Sequence, residues 1–451
     1  MTQAILADNL TTVGEQRPSI KTDVFYALTT LGSTTIWSVL NGWLLYFYVP
    51  PGGAPRVPAA LYGVLLLVVR SVNVVLDPPI GYLSDHTHNR WGRRLPFMFA
   101  SALPMLVFFV FLWAPPVPGQ SMWNLIYLAI LLGLYNIAYS FGQIPYEALL
   151  PELALTEQHR VRMSTWYASF QLIGMILGGF VGMVIDHVGY LTAALIYAGA
   201  ILPTFYLPFF VLRERPGRQI AAANQLNFRR SLAVTLRNRP FLYFAAIWTL
   251  YWSTMTITQA AIPFITTEIC LLSEADTMYF YVPAVLASLA CYPLIMRLSN
   301  RLGKGTVFLA SLLASSFVFP CLLLIGEWLP APLNVQGIIW AVLQAVAVSG
   351  VVVLIPTYTA EITDYDETLT GQRREGAYYA TMGLLDQLVT GAALALLPLL
   401  LLLGRSHTDP LGPLGVRMVG LVGGVMMLAA FFLFLRYPLR RRPSEMAKGE
   451  T

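Results

Sequence analysis

Twelve stretches of this chain stay apolar for about the 20 residues that a helix needs to cross a bilayer, and each ends at a polar or proline-rich break. They start near residues 23, 57, 95, 121, 163, 190, 241, 275, 304, 333, 376 and 412. The runs are continuously apolar rather than alternating, and a spanning segment must satisfy its own backbone in lipid, so helices are predicted rather than barrel strands. Only 11% of the 451 residues are charged, against about 25% in soluble domains, too few to cover a soluble surface. The expected class is an all-α membrane protein surrounded by lipid bilayer. A net charge of +5 on such a chain is no sign of a nucleic-acid partner.

Cytoplasmic loops retain positive charge, and 24 of the 28 Lys and Arg residues fall in the loops after spans 2, 4, 6, 8 and 10 and in the two termini. Arg56, Arg70, Arg405 and Arg417 are the exceptions. Both termini are therefore expected in the cytoplasm, with the protein multi-pass in the plasma (inner) membrane. The polar N-terminus lacks the apolar core and cleavage site of a signal peptide. Residues 213–240, rich in arginine, divide the spans six and six. The expected organisation is a tail over 1–22, a six-helix bundle over 23–212, that linker, a second six-helix bundle over 241–437 and a basic tail over 438–451. A weak internal echo supports two halves: Leu83-Ser84-Asp85 with Gly92-Arg93 returns as Leu298-Ser299-Asn300 with Gly303-Lys304. Repeated halves with a solute site between them at mid-membrane characterise many secondary transporters.

The link after span 2 reads DPPIGYLSDHTHNRWGRRLP, from Asp77 to Pro96. Its pattern of Asp77-Pro78, Gly81, Asp85, Thr87, Gly92-Arg93-Arg94 and Pro96 resembles the loop signature of the glycoside-pentoside-hexuronide (melibiose permease-like) cation symporters of the major facilitator superfamily. Gly371-Gln372-Arg373-Arg374-Glu375-Gly376 is similar to that family's second signature, and Leu44-Leu45-Tyr46-Phe47-Tyr48 ends span 1 in keeping with it. The resemblance implies the twelve-helix major facilitator fold, a coupling-cation site on helix 2, and sugar and cation ligands on helices 1, 4, 5 and 11. On that pattern Asp77 is kept, while Asn73 and Leu76 stand at neighbouring cation positions and Gln143 at the helix 4 acidic one. Thr30, Tyr167 and Gln387 replace the family's usual Asp, Arg and Lys, which weakens the expectation of sodium coupling and leaves the sugar open.

Ionisable side chains deep in a membrane are costly and functional by default. Arg70 and Asp77 stand seven residues apart on one face of span 2, roughly 10 Å along the axis, and Asp386 lies about ten residues into span 11. Asp77, Asn73, Asp386 and Gln143 are the candidates for cation or proton coupling, against a static pair with an arginine or hydroxyl. Thr30, Arg70, Asn136, Tyr167, Gln171, Trp248, Trp252, Gln259 and Gln387 are the candidates for substrate binding. The aromatic and amide stripe on span 7 suits a sugar's C–H and O–H groups, although each aromatic alone equally suits packing or an interfacial anchor. Gly81, Asp85, Gly92, Arg93, Arg94, Glu152, Glu361, Asp364, Arg373 and Arg374 are expected to form a gate at the inner helix ends, with solvated topology-setting charge as the alternative.

The single cysteines have no metal spacing, and no nucleotide loop or nucleophile motif is present, so an enzyme is not expected. The reading is a secondary transporter of a sugar, glycoside or other polyhydroxylated small solute, acting as a monomer. It needs no cofactor beyond a coupling proton or sodium ion, or works uncoupled. A carrier of an amphipathic lipid or hydrophobic compound, and a non-transporting sensor or assembly factor on the same scaffold, are the alternatives.

Overall fold

The computed structural model describes residues 19–438 apart from 52, 88, 155, 215–234, 236–237, 328, 371–374 and 404–412. Arg373 and Arg374, most of the linker and most of both tails therefore lie outside the described residues, as does the side chain of Asp85. Among the described residues there is no strand. The long helices are α1 (Ile20–Tyr48), α2 (Ala59–His86), α3 (Leu95–Phe111), α4 (Met122–Leu153), α5 (Glu157–Gly179), α6 (Tyr190–Val211), α7 (Arg239–Phe264), α8 (Met278–Leu302), α9 (Lys304–Val318), α10 (Leu333–Thr370), α11 (Glu375–Leu400) and α12 (Pro413–Leu435). A short helix, Val181–Val188, continues α5.

Most starts agree with the apolar breaks. Helix α5 begins at Glu157, a turn and a half before the run near 163, because the Thr156 side chain accepts from the His159 N–H at 3.2 Å and caps a charged first turn outside the apolar span. Among the described residues nine helical stretches are long and apolar enough to cross a membrane by length and composition, and α3 is a shorter apolar helix. Helices α1 and α7 are laced with Thr and Ser, yet most of their residues are buried. They pack against each other, and their hydroxyls bond back to the preceding turn, as Thr35 does to Leu31 and Thr249 to Ala245.

Successive helices run antiparallel, so the molecule has two ends, named here for Arg56 and Arg93. Asn124, fully buried, ties the loops of the Arg56 end together by bonding the carbonyls of Arg56, Val117 and Gly119. At the Arg93 end the internal echo acquires a structural meaning. In each half the chain turns at a left-handed glycine (Gly92 φ +107°, Gly303 φ +83°), and the next residue is basic. Arg93 lies two residues before α3 and Lys304 starts α9, and each pairs with a glutamate of its half's fourth helix, Arg93 with Glu152 of α4 and Lys304 with Glu361 of α10.

The halves meet through α1 with α7, α2 with α11, and α5 with α8. Hydrogen bonds between them include Tyr46–Thr267 and Tyr190–Glu274 at the Arg56 end, with Gln259–Ser38 and Gln387–Asp77 deeper. Glycine makes the close approach: the Ala395 carbonyl occupies the space a Cβ on Gly63 would need.

Candidate functional site

A cavity of about 430 Å³ lies between the halves, walled by α1, α2, α4 and α11, with Ala260 of α7. Helix α2 contributes Tyr62, Leu66, Val69, Arg70, Asn73 and Asp77, and α4 contributes Leu132, Tyr135, Asn136, Tyr139, Ser140 and Gln143. Both sets follow the three-to-four spacing of one helix face. Trp37 and Asn41 come from α1, and Asp386 and Gln387 from α11. Tyr62 and Leu394 lie near the Gly63–Ala395 closure, whereas the Gln143–Glu147 hydrogen bond, 2.9 Å, forms a solvent-exposed rim toward the other end. The cavity is thus shut at the Arg56 end and open at the Arg93 end.

The polar groups are tied across the wall. Asp77 accepts from Ser140 Oγ at 2.7 Å through Oδ1 and from Gln387 Nε2 at 2.7 Å through Oδ2, so one carboxylate joins both halves. Asn73 donates to Asn136 at 3.1 Å. Thr390 donates to Asp386 at 3.2 Å, and Asp386 interacts electrostatically with Arg70 across the halves. The wall carries one guanidinium and three carboxylates, Asp77, Asp386 and Glu147. The Gln387 amide oxygen is buried without a partner, an acceptor available to a solute hydroxyl. Such a surface offers donors, acceptors and aromatic faces together.

Seven residues singled out from the sequence share this cavity: Arg70, Asn73, Asp77, Asn136, Gln143, Asp386 and Gln387. The other proposed substrate ligands do not line it. Thr30 lies two turns from Trp37 on the same face of α1, but at that depth Tyr146 fills the space, 2.5 Å from the Thr30 hydroxyl. Tyr167 stacks on the same Tyr146, ring centres 6.4 Å apart. Gln259 is spent on Ser38 in the seam between α7 and α1, at 3.1 Å. Trp248 and Trp252 pack on each other at 5.7 Å, and the Trp252 indole N–H is buried without a partner. Gln171 is half-buried on α5, which contributes nothing to the cavity wall.

Among the described side chains, Arg93, Arg94, Glu152 and Glu361 make their ion pairs within one half. Arg93 and Arg94 both contact Glu152. A Cβ on Gly81 would meet Ile144 of α4 at 3.6 Å, an ordinary contact, so the packing of α2 on α4 does not depend on this glycine. Arg162 binds the fully buried Asp23 at 2.5 Å, with His159 on its other oxygen at 2.7 Å. Asp364 is exposed on α10. Glu214 was not legible: its carboxylate accepts from the backbone N–H groups of Arg93, Arg94 and Leu95 at 2.7, 2.8 and 2.6 Å, capping α3 from the start of the linker. A Cβ at Gly92 would sit 2.6 Å from that carboxyl carbon, so this glycine serves both the turn and the cap.

The family model described as MFS/sugar transport protein matches residues 25–441. The chain belongs to the MFS/sugar transport family. As a member it is a multi-pass membrane transporter and not an enzyme. It is 27% identical over 366 residues to the isoprimeverose transporter of Lactiplantibacillus pentosus, covering 78% of this chain and 73% of that one. It is 25% identical over 443 residues to the glucuronide carrier protein homolog of Escherichia coli, covering 94% and 93%. Among solved structures, the nucleoside transporter NupG superimposes with a TM-score of 0.66 at 13% identity, over 93% of this chain and 99% of that one. That likeness establishes the fold alone, and it is the major facilitator fold of two six-helix halves.

Proposed function

We propose that this MFS/sugar transport family member is a secondary carrier of a sugar, glycoside or similar polyhydroxylated solute, working by alternating access and coupled to a proton or other cation. The observation that carries this reading is the cavity between the halves, closed at one end and walled by Arg70, Asn136, Asp386 and Gln387 beside Trp37 and Tyr139. The relatives support the solute class, since their names specify isoprimeverose and glucuronide. On this reading Arg70, Asn136, Gln143 and Gln387 hold the solute. Asp77 and Asp386 bind the coupling ion, with Asn73 orienting Asn136.

Asp77 is suited to coupling because its two hydrogen bonds come from opposite halves. A proton or cation on Asp77 competes with the Gln387 amide, and so changes how firmly α2 and α11 stay together. The positive loops orient the Arg93 end toward the cytoplasm, with both termini there, in the inner membrane. The carrier then faces inward, and we take it to act as a monomer.

Solute-driven proton and sodium uptake measured in proteoliposomes tests the reading, with Asp77→Asn and Asp386→Asn beside the parent. The expected result is ion uptake that follows solute in the parent and disappears in Asp77→Asn. Equal, fully ion-dependent accumulation in both variants would remove the coupling assignment. A parent that moves no sugar or glycoside under any gradient would remove the carrier assignment.

A further inference from the structure

At the Arg56 end one acidic side chain is shared between the halves. Glu274, in the 3-10 turn Glu274–Thr277 that leads into α8, lies with its two carboxylate oxygens 3.0 and 3.1 Å from the hydroxyl of Tyr190, the first residue of α6. Tyr46 of α1 is its second phenol neighbour. The Tyr190 ring is held in advance, 4.8 Å from Phe47 and stacked 5.9 Å from Trp113. Arg56 covers the Phe47 ring from 4.0 Å and donates to the Phe47 carbonyl. Nearby charges on other elements are Asp186 of the short helix and Glu268 of the connector. Gly182 lets the short helix approach so closely that the Glu274 carbonyl takes the place of a Cβ.

The segment that presents Glu274 is irregular. A π-helical turn, Ile265–Ile269, ends α7, and Leu271 follows at φ +54°, with most of its side chain exposed. Leu271 is the one non-glycine residue with positive φ among the described residues. Such turns and left-handed non-glycine residues cluster where backbones have to move. The turn itself stays intact as a unit, because Asp276 accepts from both the N–H and the hydroxyl of Ser273.

We propose that Glu274, gripped by Tyr190, is the latch that holds the halves shut at the Arg56 end, and that the α7–α8 connector is the hinge that carries it away. This role rests on the alternating-access reading. A hydrogen bond from a phenol to a carboxylate is strong enough to bias a closed state and, lacking a full ion pair, weak enough to break in each cycle.

Hydrogen–deuterium exchange on the full chain in lipid nanodiscs tests the latch without any solute. Tyr190→Phe and Glu274→Ala are expected to raise exchange about fivefold in residues 265–277 and 181–197 and to leave α3 and α9 at the parent rate. Glu274→Gln keeps an oxygen that accepts from Tyr190, and is expected to stay within about twofold of the parent. Parent-like exchange in either Tyr190→Phe or Glu274→Ala, or a rise spread evenly over all helices, would overturn the proposal. If the local rise appears in a protein that moves no solute, the latch stands and the carrier assignment falls.

Discussion

At the scale of the residue, the cavity depends on a few buried polar side chains whose partners come from distant parts of the chain. Among the described residues Arg70 is the only basic group in the cavity wall, so Arg70→Ala is expected to raise the transport KM for a bound glycoside by about tenfold. Arg70→Lys should restore part of that, because charge returns without the guanidinium fork. Removing either donor to Asp77 separates two roles. Ser140→Ala breaks a bond within one half, whereas Gln387→Leu breaks the bond between halves, so only the second is expected to change the ratio of exchange to net uptake. Arg70, Asp77 and Asp386 were legible because a charge in an apolar run stands out by its solvation cost. Thr30, Tyr167 and Trp252 lie outside the cavity wall; a hydroxyl or indole satisfies a packing role as readily as it binds a solute, and composition does not distinguish the two.

At the scale of the element, close contacts between helices decide what can be changed. Gly63→Ala sets a methyl against the Ala395 carbonyl where α2 meets α11, and overpacking of this kind costs about 1–3 kcal/mol. The expected result is a lower thermal midpoint in detergent and slower transport, both worse in Gly63→Leu. The two left-handed glycines separate strain from contact. Gly303 has nothing within 4 Å of a built Cβ, whereas Gly92 faces Glu214. Both alanine variants incur backbone strain of about 1–3 kcal/mol, and Gly92→Ala also displaces the cap on α3, so it should melt lower than Gly303→Ala. The helix starts were visible as apolar breaks. The cap by Glu214 was not, because it joins residues 93 and 214, between which four long helices, α3 to α6, intervene.

At the scale of the whole molecule, the two halves are closed at the Arg56 end and parted at the other, and this asymmetry can be measured. With Cys270, Cys291 and Cys321 replaced, a cysteine at Gln143 is expected to react with a membrane-impermeant thiol reagent in inside-out vesicles and not in right-side-out ones. The reverse pattern would invert the orientation. Sequence by itself determined the helical class and the division into two halves, and it sets an expectation of sidedness that the vesicle experiment decides, because lipid imposes its cost one segment at a time: each backbone group, each charge and each loop is judged locally. Tertiary structure decided which faces meet. A helix that is apolar nearly all round carries no instruction for its own rotation, so the joining of Asp77 to Gln387 and of Tyr190 to Glu274 follows from packing among helices far apart in the chain.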